Sequence, residues 1–144
     1  MVMKAAVCYE FGAPLVVEDV EIDPPARGEV AVRIAACAIC HSDVHAIRGE
    51  WGGAPPVVAG HEAAGVIEVV GDGVGDVAPG DPVVVSLLRS CGRCFYCATG
   101  APHLCTHAFA LNTESRLHAR DGRPLRQGIG VGAFAEYAVV DRSQ

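Results

Sequence analysis

Four of the seven cysteines in the chain lie close together, at Cys91, Cys94, Cys97 and Cys105. A Cys-x-x-Cys turn lets two thiolates converge on one ion. Here the motif occurs twice in succession, at Cys91–Cys97, and the fourth cysteine follows at position 105. Four sulfur ligands complete a tetrahedral zinc shell and leave no open position for water or substrate. The spacing therefore predicts a structural zinc in a loop lobe at about residues 91–105, ordered by the metal.

Two disulfide bonds are the alternative use of four thiols. Disulfides belong mainly to oxidising compartments and to small secreted domains. The first residues, Met1–Pro14, contain one lysine and no long apolar core followed by a small-residue cleavage site. An odd number of cysteines also suits a disulfide framework poorly. We therefore expect a reducing, cytoplasmic setting and zinc in place of disulfides.

A second, smaller group offers ligands of mixed type. The segments CHSDVH (40–45) and GHEAAG (60–65) carry Cys40 and His61, with carboxylates close in sequence. Taken alone, each residue has an ordinary structural explanation, because a free cysteine is often a small buried apolar residue. An isolated histidine is similarly often a surface or hydrogen-bonded residue. The residues by themselves leave a second metal site open.

Length and composition limit the classes of function. The chain has 144 residues, of which 51% are hydrophobic, enough for one domain with its own core. Its formal net charge of −6 gives no general affinity for nucleic acid or for an anionic membrane surface. No stretch approaches the roughly 18 apolar residues of a membrane span. We expect neither nucleic acid nor membrane as a partner.

The elements that would position these residues are mostly strands. Turn residues separate β-rich segments at 3–9, 15–22, 29–39, 63–71, 81–88 and 132–141. A short helix is predicted between Cys40 and Ile47, and no long amphipathic helix is apparent. The pattern predicts a mainly β, barrel-like domain with long functional loops.

Two segments between these elements are interpreted as turns or loops. The Gly-rich stretch at 69–81 is flanked by two strands and not by a strand and a helix, so it predicts a hairpin connection and not a nucleotide-binding turn. The arginine-rich segment Glu114–Gln127 is interpreted as a solvated loop around an Asp121-Gly122 turn.

In combination, these motifs resemble the zinc-dependent medium-chain alcohol dehydrogenases. The segment GHEAAGVIEVVGDGV (60–74) matches the family's zinc signature, and CHSDVH resembles its catalytic-zinc segment. The four-cysteine spacing is that of its structural-zinc lobe, and FAEYAVVD (134–141) resembles the strand that closes its N-terminal domain. The resemblance implies that residues 1–144 form a GroES-like, partly open β-barrel with a zinc lobe and short helices.

The resemblance also implies a role for each matching residue of the second group. Cys40 and His61 would be ligands of a catalytic zinc, and Glu62 would lie beside the ion. Asp43 would accept a hydrogen bond from His61 and so fix its tautomer. Ser42 would take the proton from the alcohol.

Further roles concern the proton path and the substrate. His45 would pass the proton on towards solvent through the cofactor ribose, which is the one cofactor contact implied for this chain. Trp51, Leu87 and Leu88 would line the substrate pocket. The two leucines favour a primary alcohol or aldehyde over a sugar.

The implied activity is oxidation of a small alcohol, or reduction of an aldehyde, with hydride transfer to NAD(P). The full-length protein would be a homodimer or homotetramer. The family's Rossmann domain for NAD(P), and a further ligand of the catalytic zinc, would lie beyond Gln144. We therefore expect a complete structural zinc site, a catalytic site that lacks one ligand, and a fragment that is inactive alone.

Two alternatives to an enzyme domain remain. One is a GroES-like barrel used for binding or assembly without catalysis, which would need neither metal cluster. The other is a domain stabilised by a metal, with no catalysis of its own. Metal content distinguishes these alternatives.

Overall fold

The computed structural model describes all 144 residues and contains nine strands and two short α-helices. The strands are β1 (Val2–Cys8), β2 (Val16–Ile22), β3 (Glu29–Ala38), β4 (Val57–Val58), β5 (Glu62–Val70), β6 (Pro82–Val85), β7 (Leu117–Ala119), β8 (Pro124–Gln127) and β9 (Tyr137–Asp141). The helices are α1 (His41–Ile47) and α2 (Phe95–Ala98), with single 3-10 turns at Pro102–Leu104, Ala110–Asn112 and Gly128–Gly130. None of the helices has the length and apolar character needed to cross a bilayer.

The strands form two sheets. Five of them close into a barrel in the order β1-β2-β7-β8-β4, and the other four form an open sheet in the order β6-β5-β3-β9. Neighbouring strands are antiparallel, except for the short parallel pair β4–β8. The predicted mainly β, barrel-containing fold is confirmed. The connection between β5 and β6 is the hairpin that the flanking strands predict.

Each sheet has its own hydrophobic core. In β1 the alternate residues Met3, Ala5 and Val7 are buried, as expected for a strand with one face towards the interior. They pack in the barrel with Leu117 and Leu125. A second cluster, built around residues of β3, β5 and β9, lies on the open sheet. The open sheet carries the predicted site residues, since Cys40 follows β3 and His61 directly precedes β5.

The segment from Glu114 to Gln127 forms a hairpin where a solvated loop was predicted. Its β7 and β8 pair antiparallel around the predicted turn, in which Gly122 has a φ of 83°. Leu117 pairs with Leu125 across the hairpin, and both side chains are buried in the barrel. An Asp-Gly dipeptide between alternating apolar residues is a strong hairpin signal. The segment therefore forms a hairpin despite the arginines around this turn.

Two strands are shorter than predicted. The last strand begins at Tyr137, because the residues before it lean towards the barrel, where Ala135 forms a single bridge to Ala5. β6 ends at Val85, because the next residue leaves the ladder: the Ser86 N–H donates to the Gln144 carbonyl at 2.6 Å. The chain from Ser86 onwards is therefore free to carry the loops around the site.

A buried ion pair joins the two sheets. Glu29, at the start of β3, is only 4% exposed, and its two carboxylate oxygens accept hydrogen bonds from Arg116 Nη2 at 2.8 Å and Nε at 2.9 Å. The Ala26 N–H adds a third bond to Glu29 at 3.0 Å. Arg116 directly precedes β7 of the barrel, and its hydrogen bonds to Glu29 raise its pKa. Bidentate pairs of this kind are stronger and more specific than single contacts.

We expect Glu29→Gln to lower the free energy of unfolding by about 3 kcal/mol, because Arg116 would lose its buried bidentate partner and keep only a single contact with the exposed Glu114. Urea denaturation measures the change. Glu68→Gln is the matched control, since Glu68 pairs with Arg33 in an exposed position at 3.4 Å; it should cost less than about 1 kcal/mol. Equal losses in the two variants would contradict the linking role of Glu29.

Candidate metal centres and site

The structure brings the four lobe cysteines together. The sulfur atoms of Cys91, Cys94, Cys97 and Cys105 all lie within 4.8 Å of one another, and no cysteine in the chain is in a disulfide. The Cys94 and Cys105 sulfur atoms are 3.9 Å apart. A zinc–sulfur bond of about 2.3 Å in a tetrahedron separates two sulfur ligands by about 3.8 Å. The donor set and its spacing therefore fit a tetrahedral zinc ion.

Backbone N–H groups favour negative charge on part of this cluster. The Cys94 N–H donates to the Cys91 sulfur at 3.3 Å, and the Cys91 N–H donates to the Cys105 sulfur at 3.4 Å. Backbone hydrogen bonds, chiefly from Cys97, lower the pKa of Cys94 to about 6. They also lower the pKa of Cys91, whereas desolvation raises the pKa of Cys97 to about 11. Thiolates are the form of cysteine that binds metals.

The lobe has no hydrophobic core of its own. No residue from position 86 to 110 is buried, and the only α-helix there, α2, has four residues. A helix of one turn gains little stability from its own backbone bonds. Order in this segment therefore depends on what the four sulfur atoms hold.

The second predicted group also comes together. Ligand atoms of Cys40, His61 and Glu62 lie within 4.8 Å of one another. Cys40 directly precedes α1, while His61 and Glu62 lie at the start of β5. His61 is buried and Glu62 is exposed, so the group opens to one side.

Asp43 fixes the relative position of these residues. Its carboxylate, in a residue only 2% exposed, accepts hydrogen bonds from His61 Nδ1 at 3.1 Å, the Gly60 N–H at 3.0 Å and the Cys40 N–H at 3.1 Å. With Nδ1–H donated to Asp43, His61 presents the lone pair of Nε2 to the group. A carboxylate behind a ligating histidine orients the ring and increases its basicity. The contact to His61 is the one that the resemblance implies, and the other two come from the structure.

Gly60 is clamped between two backbone segments. Its carbonyl accepts a hydrogen bond from the Ala133 N–H at 2.9 Å. A Cβ at Gly60, where φ is 93°, would lie 2.7 Å from the backbone nitrogen of Phe134. Only glycine permits this approach, so the position of His61, the next residue, is fixed by the packing of its neighbour.

The two residues of the predicted proton path lie on α1. Ser42 Oγ is 3.3 Å from His61 Nε2, so its hydroxyl lies on the ligand side of the imidazole. His45 Nδ1 contacts the Glu50 carboxylate, and its ring stacks on Trp51 with the centroids 5.4 Å apart. The hydrogen bond with His45 lowers the pKa of Glu50. Sequence reasoning missed Glu50, and no motif marks it.

Leu87 and Leu88 line two adjoining cavities. One, of about 650 Å³, is mostly apolar and also includes His61 and Glu62. The other, of about 720 Å³, extends towards the four-cysteine lobe. Trp51 is not among the lining residues of either cavity and lies instead beside His45, so its role in the pocket stays a prediction.

Comparison with known proteins agrees with these observations. Residues 26–144 match the model of the alcohol dehydrogenase GroES-like domain, and the chain belongs to this family. The chain is 50% identical to an NDMA-dependent alcohol dehydrogenase of Amycolatopsis methanolica, over 99% of this chain and 40% of that protein. It is 39% identical to a class-3 alcohol dehydrogenase of Zea mays, over 95% of this chain and 38% of that protein.

Solved structures give the same result. An alcohol dehydrogenase zinc-binding domain protein from Burkholderia ambifaria superposes with a TM-score of 0.87 at 34% identity, over 98% of this chain and 40% of that chain. The chain thus spans about 40% of the length of such relatives. The GroES-like barrel expected from the sequence is confirmed.

We expect Cys97→Ala to release zinc from the lobe and to destabilise it, because three thiolates no longer close the shell. Zinc content after dialysis against a weak chelator, together with thermal unfolding, measures both effects. Cys37→Ala is the control, since Cys37 belongs to neither ligand group, and it should retain its zinc. Zinc loss from the control as large as that from Cys97→Ala would refute the ligand set.

We expect Asp43→Asn to lower the free energy of unfolding by about 2–3 kcal/mol, because the amide cannot accept all three buried hydrogen bonds. Ser42→Ala removes one partly exposed contact and should cost less than about 1 kcal/mol. Urea denaturation measures both variants. Nitrogen NMR of the His61 ring should also show loss of the fixed tautomer in Asp43→Asn alone; an unchanged tautomer would contradict the orienting role of Asp43.

Proposed function

We propose that residues 1–144 are the zinc-holding N-terminal part of an alcohol dehydrogenase. The whole protein would oxidise a small alcohol, or reduce an aldehyde, with hydride transfer to NAD(P). The observation that carries the proposal is the group Cys40, His61 and Glu62 beside an apolar cavity, with His61 oriented by the buried Asp43. Relatives that are alcohol dehydrogenases support it.

The two metal centres would have different roles. The four lobe thiols would hold a structural zinc, because a complete sulfur shell excludes substrate. Cys40, His61 and Glu62 offer a mixed sulfur, nitrogen and oxygen set of the kind found in catalytic zinc sites. Zinc bound there supplies a Lewis acid that makes an adjacent alcohol more acidic. These three residues would hold it more weakly than the lobe holds its ion, since the family uses a further ligand.

The residues of α1 would move the proton. Ser42 Oγ, on the ligand side of His61, can accept a proton from a substrate hydroxyl and donate its own onward. Ser42 and His45 are three residues apart on α1, so they share one face of the helix. Glu50 occupies His45 Nδ1 and leaves Nε2 to exchange the proton with solvent or with a cofactor ribose.

The apolar cavity would bind the carbon chain of the substrate. Leu87, Leu88 and Val85 line it next to His61 and give the carbon chain an apolar surface to contact. No polar groups for the hydroxyls of a sugar line this wall beyond Ser86 and the two site residues. A primary alcohol or aldehyde is therefore the substrate class that this wall favours.

Apart from the implied ribose contact of His45, the 144 residues offer no site for NAD(P). They contain no strand followed by a GxGxxG turn and a helix, which is the arrangement that binds a dinucleotide. We propose that the cofactor, the missing zinc ligand and the contacts of a homodimer or homotetramer belong to other parts of the whole protein. The 144-residue chain alone would then be inactive with an alcohol and NAD(P).

Cobalt(II) titration of the chain tests the proposal, because cobalt(II) replaces zinc and its thiolate absorption bands report sulfur ligands. We expect one tight site with the spectrum of a tetrathiolate and one weaker site. Cys40→Ser should remove the thiolate band of the weaker site alone, and Cys97→Ala should alter the tight site alone.

The outcome distinguishes the alternatives to an enzyme domain. One tight site and no site that depends on Cys40 would support a domain that is only stabilised by its metal. No cobalt binding at all would support a non-enzymatic GroES-like barrel. Either result would overturn the proposed catalytic centre.

A further inference from the structure

The larger cavity next to Leu87 and Leu88 contains a group that the proposed reaction does not use. This groove, of about 720 Å³, lies between the four-cysteine lobe and the segment that leads into β7 and β8. Phe109 and Ile129 are among its apolar lining residues, and Arg89 also lines it. Arg89 is partly buried, and desolvation lowers its pKa, opposed by the more distant carboxylates of Asp141 and Glu29.

Only uncharged groups hold Arg89 in place. Its Nη1 donates to the side-chain oxygen of Asn112 at 2.7 Å, and its Nη2 donates to the Gly130 carbonyl at 3.2 Å. The guanidinium also lies over the ring of Phe109, 5.7 Å from the centroid. No carboxylate in the chain forms a salt bridge with it. A guanidinium has five N–H donors, so three remain for another acceptor.

The backbone leaves space for this side chain. A Cβ at Gly130, where φ is 66°, would lie 1.3 Å from Arg89 Nη2. Any other residue at this position would displace the guanidinium from its place in the groove. Gly130, Asn112 and Phe109 thus form a cradle that fixes a cation without neutralising it.

The other charged groups of the groove do not supply the missing partner. Glu114 lines the groove, but its carboxylate already accepts a hydrogen bond from Arg116 Nη1 at 3.0 Å. Arg126, His103 and His107 also line the groove and can only add positive charge to it, while the sulfur of Cys105 belongs to the ligand set of the lobe. A partly desolvated cation without a carboxylate is costly, and an anion that binds it through charged hydrogen bonds offsets that cost.

We infer that the groove binds an anionic group, a carboxylate or a phosphate, carried by the substrate, with Arg89 as its main ligand. The inference rests on the proposed function, according to which the other end of the same substrate is an alcohol that reacts near His61. Leu87 and Leu88 line both cavities, so the groove adjoins the cavity of His61 at these two residues. Arg89 follows Leu87 by two residues, so their backbones are within about 7 Å. The substrate class is thus a short-chain alcohol or aldehyde with an anionic tail.

Binding measurements on the 144-residue chain test the inference. The probes are 4-hydroxybutyrate, 3-hydroxypropyl phosphate and the neutral 1,4-butanediol, each titrated with detection by NMR of the backbone N–H signals of the groove residues, which every variant retains. We expect at least one anionic probe to bind about tenfold tighter than butanediol, as one charged hydrogen-bonded contact allows. The tighter of the two anionic probes assigns the tail as carboxylate or phosphate.

Three variants test whether the preference for anionic probes depends on Arg89. Arg89→Gln should abolish the preference for the anionic probes, whereas Arg27→Gln, the same change at an exposed arginine outside the groove, should retain it. Gly130→Ala should weaken anion binding although the charge of Arg89 remains, because the methyl group displaces the guanidinium. This second variant, and the comparison of probes on the unchanged chain, keep the test valid if Arg89→Gln fails to fold.

Equal affinity of the unchanged chain for butanediol and both anions would overturn the inference, as would a retained preference in Arg89→Gln. A titration with inorganic phosphate on the chain with zinc in its lobe separates this failure from failure of the proposed function. Phosphate shifts at Arg89, without a cobalt site that depends on Cys40, would support the anion site and contradict the catalytic centre.

Discussion

The buried carboxylate of Asp43 is the contact on which the arrangement of the site depends. It joins the start of α1, the turn before β5 and the imidazole of His61 through three hydrogen bonds. In a buried position each of these donors would be costly to leave without an acceptor, so the three bonds support one another. Gly60 adds a steric constraint from the opposite side, where it packs on the backbone of Phe134. The separation of Cys40 and His61 is therefore set by ordinary protein contacts, which pre-organises the ligands.

The four-cysteine lobe, unlike the Asp43 site, is not held in place by buried side chains. Its sulfur atoms lie together at the surface, and no buried side chain supports them between positions 86 and 110. The backbone N–H groups that point at Cys91 and Cys105 stabilise the sulfur charge but form no core. The packing of the surrounding protein thus positions the ligands Cys40 and His61. The four-cysteine lobe, in contrast, is ordered by the metal that its ligands would bind. This contrast is consistent with a catalytic role for the first group and an architectural role for the second.

The sequence predicted the elements whose signals are local. β-rich segments between turn residues located β1 and β2 of the barrel and the strands of the open sheet, and cysteine spacing located the lobe. It did not predict β4, which has two residues and owes its existence to pairing with β1 and β8. The contact of Gly60 with Asp43 and the groove around Arg89 were also beyond prediction, because they join residues 17 and 41 positions apart that only the folded chain brings together. The contact of Cys40 with Asp43 spans three residues at the start of α1, so it is a local capping contact that the sequence analysis missed.

The absence of buried side chains in the lobe also bears on how such a chain can change over generations. The lobe is attached at its base by backbone and hydroxyl contacts, such as the Ser90 N–H to Ser143 Oγ at 3.0 Å and the Ser86 N–H to the Gln144 carbonyl at 2.6 Å. It shares no interior packing with the barrel or the sheet. Insertions, deletions or even loss of this segment would leave both interiors intact. The lobe is thus a module that evolution can lengthen, reshape or discard while the remainder of the domain keeps its architecture.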